Sequence, residues 1–225
     1  MLSEELYDIF RSDVSDLKKP YLWTDAEVWR YMNSAYVSFV RLTGGVADSS
    51  SDITQVDVVV GEGEAEVSPL ILKFREAELV STGRKIDIVN HTDSPLRSES
   101  DYGNLSTAFR KTSGPVRYMV IGKQRGRVTW VQIPQENDSV QLTVYRLPLA
   151  RITGEGQRFD DIGDEHHEHL VVGMKALAYG KQDAETFDKG RRDEYKAAFE
   201  AYCAWARSEV ERYKTKVRTV AYGGY

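Results

Sequence analysis

Along the first fifty residues, apolar positions recur every three or four residues, the spacing of an amphipathic helix. Leu2, Leu6, Ile9 and Phe10 predict a short helix over 3–12, and Pro20 prevents its continuation. Thr24 followed by Glu27 has the form of a capping box: the hydroxyl accepts from an amide three residues on and the carboxylate reaches back. The helix opened there places Val28, Met32, Ala35, Tyr36, Phe39 and Val40 on one face. Gly44-Gly45 supply its left-handed cap.

Then the period changes. Asp52–Val60 and Leu70–Val80 are rich in branched residues and partly alternate, as half-buried strands do, with Gly61 and Gly63 at the turn between them. Gly83 predicts a hairpin into Lys85–Val89, and 90–108 reads as a polar loop. Gly114-Pro115 leads to three further strands near 116–122, 127–133 and 140–147, and Pro148 ends the block. From Asp164, expected to cap, the helical period returns. One stripe carries His167, Leu170, Val171, Met174, Leu177 and Ala178; a second helix, 184–214, carries Phe187, Tyr195, Ala198, Phe199, Tyr202, Ala206, Val210 and Tyr213.

The pattern predicts an α+β fold with segregated parts. Helices over 1–50 and 160–214 form a helical bundle bracketing an antiparallel β-rich insertion domain over 51–159, and an extended tail follows at 215–225.

Composition narrows the function classes. Of 225 residues, 41% are hydrophobic and 29% charged, a globular balance, and the net charge is −5. No apolar run approaches the length that crosses a bilayer. The start, MLSEELYDIF, lacks the basic and apolar blocks of a signal peptide. The single cysteine, Cys203, excludes an internal disulfide and every multi-cysteine metal site, so a reducing compartment is expected. Between Asp101 and Glu136 there is no acid, while Arg110, Lys111, Arg117, Lys123, Arg125 and Arg127 are basic. That stretch suits a solvated strand face or a patch for an acidic partner or phosphate backbone.

One cluster invites catalysis: Asp164-Glu165-His166-His167-Glu168-His169. Zinc proteases place two histidines four apart on a helix with a glutamate between. Here His166 and His169 are three apart and no third ligand has a defined spacing, so no metal site is assigned. His167 falls on the apolar stripe. Neither a phosphate-binding glycine loop nor a nucleophile elbow is present. No catalytic residue and no cofactor follow, and an interaction protein becomes the expectation. The alternative is a small metal-dependent, cell-wall-directed hydrolase using Glu165, His166 and His169; a weaker one is a DNA-binding accessory factor using 110–127.

The order of signals resembles a known family. Leu22-Trp23-Thr24-Asp25-Ala26-Glu27, continuing through Tyr31-Met32-Asn33 to Gly44, is similar to the opening of head-to-tail adaptor proteins of tailed phages, among them the tail tubular or gatekeeper-like proteins of short-tailed phages. Gly114-Pro115, Ile133-Pro134, Tyr145-Arg146 before Pro148, Asp161-Ile162 ahead of His166 and Leu170, and Asp183 with Phe187 extend the likeness over 20–215. Where that family has Ile-Pro, this chain has Ile162-Gly163. The resemblance implies a non-enzymatic virion protein at the head–tail junction, made in the bacterial host cytoplasm. It implies a homo-oligomeric ring, commonly of twelve copies, with the bundle facing the portal protein and the β domain facing a tail or nozzle protein. DNA would pass through without specific binding, and no cofactor or membrane is involved. Since these adaptors anchor partly through C-terminal segments, Val217, Arg218, Val220, Tyr222 and Tyr225 are expected to bind the portal. A ring needs two complementary patches per subunit. Those expected are basic Arg117, Arg125 and Arg127 against acidic Asp160, Asp161 and Glu165, with Trp29, beside the apolar stripe, as a further interface residue.

Overall fold

The computed structural model describes residues 1–91, 113–183 and 185–214, and the chain divides into two units. One joins Met1–Gly45 to the chain from Pro148 onward; the other is Val46–Leu147.

Among the described residues the helical unit has four α-helices: α1 (Ser3–Asp13), α2 (Asp25–Thr43), α3 (His167–Tyr179) and α4 (Lys189–Lys214). In α1, Glu5 reaches back to accept from the Leu2 amide at 2.7 Å. Both arms of the expected box form at α2: Thr24 Oγ1 accepts from the Glu27 amide at 3.4 Å, and Glu27 Oε2 accepts from the Thr24 amide at 2.9 Å. Gly44, at φ +100°, takes the left-handed cap that a side chain would strain.

Two expected starts move. Asp164 opens a short 3₁₀ turn, Asp164–His166, with Gly163 ahead of it, so it does not cap α3. The last helix begins at Lys189 rather than near 184. The Asp183 carboxylate accepts from the amides of Glu185 and Thr186 at 3.0 and 2.9 Å, and a turn closed by the side chain competes with helix there. Asp188 then accepts from the Arg191 amide at 3.0 Å and serves as the cap.

Leu6, Phe10, Val28, Met32, Leu170 and Met174 are fully buried in this unit. Gly173 permits a close approach between helices: a Cβ there would lie 2.9 Å from the Phe199 ring and 3.1 Å from Ala35 Cβ. Trp23 packs edge-on to Phe10 and Tyr179, and its indole N–H donates to the Ala178 carbonyl at 3.1 Å. The residue ahead of the α2 cap is thereby tied to the end of α3. Beside it Arg11, 3% exposed, donates to Asp16 at 2.5 Å, to the Trp23 carbonyl at 2.7 Å and to Asp25 at 2.7 Å. A buried guanidinium is tolerable because each of these acceptors replaces water.

The β unit holds β1 (Val46–Asp48), β2 (Gln55–Val58), β3 (Glu64–Glu66), β4 (Ile71–Leu79), β5 (Arg84–Asn90), β6 (Tyr118–Gln124), β7 (Arg127–Trp130) and β8 (Asp138–Arg146). They form one sheet in the order β1-β8-β4-β5-β6-β7-β3, with β2 also on β8. The sheet is antiparallel-rich, as expected, but β5 and β6 run parallel within it. Alternate residues of β2, β7 and β8 point inward, so Val56, Val58, Val128, Trp130, Val140, Leu142 and Val144 build a core with Ile86 and Met119. Val46 of β1 faces Arg146 of β8, so the first and last strands of this unit lie side by side.

Candidate interaction surfaces

In the histidine cluster, the rings are engaged in packing and hydrogen-bond contacts. His166 Nδ1 lies 2.9 Å from the Tyr202 hydroxyl, and its ring sits 5.1 Å from that of Phe39. His169 stacks on Tyr202 at 3.5 Å between centroids. Burial, then the neighbouring His166, pushes the His169 pKa below its ordinary value, so the ring stays neutral near pH 7. His167, 3% exposed, places Nε2 at 3.3 Å from the Ile162 carbonyl; its Nδ1 is 3.4 Å from Asp164 without the alignment of a hydrogen bond. Glu165 approaches His166 Nε2 at 3.6 Å and is otherwise in solvent. Among the described residues no group of three or more His, Cys, Asp or Glu is placed to hold a metal ion. The hydrolase alternative thus has no support. Burial pushes the Cys203 thiol up to about 11, which leaves it protonated and unreactive inside α4.

The expected interface residues fall into separate settings. Arg125 and Arg127 share the β6–β7 hairpin with Lys123. Arg127 is drawn to Glu66 at 3.0 Å and Lys123 to Glu64 at 2.9 Å, whereas Arg125 is exposed with no ion pair among the described residues. Arg117, exposed, immediately precedes β6. Asp160 is exposed, but Asp161 is half-buried and accepts from the Tyr36 hydroxyl at 3.0 Å. Trp29 is half-buried, one face stacked on Tyr7 at 5.0 Å between centroids. The expected portal-binding residues Val217, Arg218, Val220, Tyr222 and Tyr225 lie outside the described residues.

Several apolar side chains placed by periodicity in the core are on the surface. Leu177 is 41% exposed, Phe187 46% and Val210 37%, and Trp205 beside Tyr202 is 51% exposed. Among the described residues, the buried positions of α4 are Phe199, Cys203 and Ala206. The apolar stripe of α4 is therefore wider than the contact it makes within the subunit. This surplus was readable as composition but not as exposure, which depends on where α2 and α3 end. Exposed apolar side chains of this size are a feature of surfaces that meet other proteins.

The sequence profile of the SU10 adaptor protein family matches residues 5–219. The chain belongs to the SU10 adaptor protein family. That membership covers both units and agrees with the resemblance to phage head-to-tail adaptors carried by the Trp23–Glu27 cap. An adaptor of this kind is a structural component of the virion and interacts with other virion components. Among curated proteins no match is found. No helix among the described residues is long and apolar enough to cross a membrane.

Proposed function

We propose that this adaptor-family chain assembles with further copies of itself into a closed ring that joins the portal vertex of a short-tailed phage head to its tail, and that it performs no chemistry. The observation that carries the reading is the apolar side chains that the helical unit leaves in solvent, Trp205, Leu177 and Phe187 among them. An exposed tryptophan next to a tyrosine, as Trp205 is to Tyr202, has the composition of an interface centre. Exposed Arg117 and Arg125 on one unit and Asp160 and Glu165 on the other provide the two unlike patches that a heterologous ring contact requires, and such charges steer assembly more than they tighten it. The C-terminal residues from Val217 to Tyr225 are the proposed anchor on the portal.

Mass photometry of the purified chain, alone and with the portal protein, tests this. Twelve copies of a 25.6 kDa chain give a species of about 300 kDa. Appearance of that species with the portal supports the reading. A chain that stays monomeric at micromolar concentration with the portal present overturns it.

A further inference from the structure

Strand β4 is flanked unequally. It pairs with β8 from Ile71 to Leu79, but β5 takes only Ala77–Leu79. From Asp87 to Asn90, β5 pairs with β6 instead. Among the described residues, the backbone of Ile71–Glu76 therefore has a ladder partner on one side only. An open strand edge is a template for another strand, and folded chains blunt such edges unless they use them.

Beside this edge lies an open groove of about 500 Å³ between the start of β4 and the β6–β7 hairpin. Leu72, Phe74 and Ile121 give it an apolar lining, and Lys73, Lys123, Arg125 and Arg127 bring four cations to it. No carboxylate among the described residues lines it. Glu64 and Glu66 answer Lys123 and Arg127 from outside the groove. Lys73 and Arg125 have no ion pair among the described residues. Leu72 is 37% exposed, so the apolar lining is open to a partner.

These features converge on one kind of occupant. A nucleic-acid backbone would satisfy the cations but neither the apolar lining nor the unpaired amides and carbonyls. An extended peptide satisfies all three. We propose that the groove takes an extended segment of a partner chain, added as a strand to the free edge of β4. Its acidic side chains would meet Lys73 and Arg125, and the alternate apolar ones would lie against Leu72, Phe74 and Ile121. In strand addition the main-chain bonds supply affinity and alternate side chains supply selectivity. This goes beyond the ring reading and does not rest on it, since peptide capture by a single subunit needs no ring.

The test uses the full chain and three fluorescein-labelled synthetic peptides. One alternates glutamate and valine, one alternates lysine and valine, and one is the glutamate peptide with alternate amides N-methylated. Fluorescence anisotropy is expected to show binding of the first alone. Hydrogen exchange is expected to slow at the amides of Leu72–Glu76 when it binds. Arg125→Glu or Lys73→Glu should weaken binding about tenfold or more, since each replaces an attraction by a repulsion. The methylated peptide leaves the protein untouched, so it separates strand addition from any folding defect in the variants. Failure of the glutamate peptide to bind, equal binding of the lysine or methylated peptide, or unchanged exchange at β4 would overturn the proposal. So would competition by a DNA duplex for the same residues.

Discussion

At the scale of single residues, the most constrained charges lie inside the two units. Asp48 accepts from the Ser51 hydroxyl at 2.6 Å, from the Ser50 and Ser51 amides at 3.0 and 3.1 Å, and from Arg146, which is 8% exposed. Burial alone would raise its pKa; the bonds from Ser51, Arg146 and the two amides overcome that and hold the carboxyl well below the usual range. The folded value is lower than the unfolded one of about 3.9, so this stabilisation is complete above that pH and is lost as pH falls toward the folded value. Asp48→Asn takes the carboxylate from a buried guanidinium and is expected to cost about 3 kcal/mol in urea unfolding at neutral pH. The gap to wild type should shrink between about pH 4 and pH 2; a constant gap would assign the loss to packing instead. Asp48 is not marked in the sequence, and Arg146 stands out only within the Tyr145-Arg146 likeness, with no sign of its partner. They are 98 residues apart, and only the β1–β8 pairing brings them together.

Elements were legible where their signals are local. The ends of α2 follow from Thr24, Glu27 and Gly44, all within the helix or one residue of it, and the structure uses each as the spacing predicts. The start of α4 was not legible, because the side-chain turn at Asp183 and the helix compete for the same amides. The parallel pairing of β5 with β6 was hidden for another reason. Adjacent strands in a sequence suggest hairpins, and the connection of about 27 residues between these two is long enough for the crossover that parallel strands need. Packing between elements also sets the role of Gly173. Glycine to alanine inside a helix ordinarily gains about 1 kcal/mol, yet here the new methyl meets Phe199 at 2.9 Å. Gly173→Ala is therefore expected to lower stability by about 1 kcal/mol net, read as a fall in Tm, since overpacking costs about 1–3 kcal/mol. A raised Tm would show that Phe199 moves aside freely.

For the molecule as a whole, the two exposed or half-exposed tryptophans separate folding from assembly. Trp29 gives one face to Tyr7, so Trp29→Ala should lower Tm by several degrees as well as any effect on assembly. Trp205 is 51% exposed and its loss should leave Tm within about 2 °C of wild type while reducing the ring species in mass photometry. Equal thermal losses in both would place Trp205 in the fold and not at a contact. The candidate site was legible only in part. Charge at Arg125 and Asp160 is visible in the sequence. Which charges remain unanswered is not, because Glu66 answers Arg127 across the β3–β7 pairing and Glu64 answers Lys123 of β6, one strand further on.

The helical unit is made from both ends of the chain, and this orders events at the ribosome. The strands of Val46–Leu147 emerge as a continuous stretch and find all their sheet partners within it. Helices α1 and α2 emerge earlier, but α3, against which both pack, begins only at His167. At a synthesis rate of about 5–20 residues per second, the apolar faces of Leu6, Phe10, Met32 and Phe39 wait many seconds for their counterparts. During that interval the nascent chain carries a completed sheet preceded by two sticky, unmatched helices, which is the kind of client that chaperones hold.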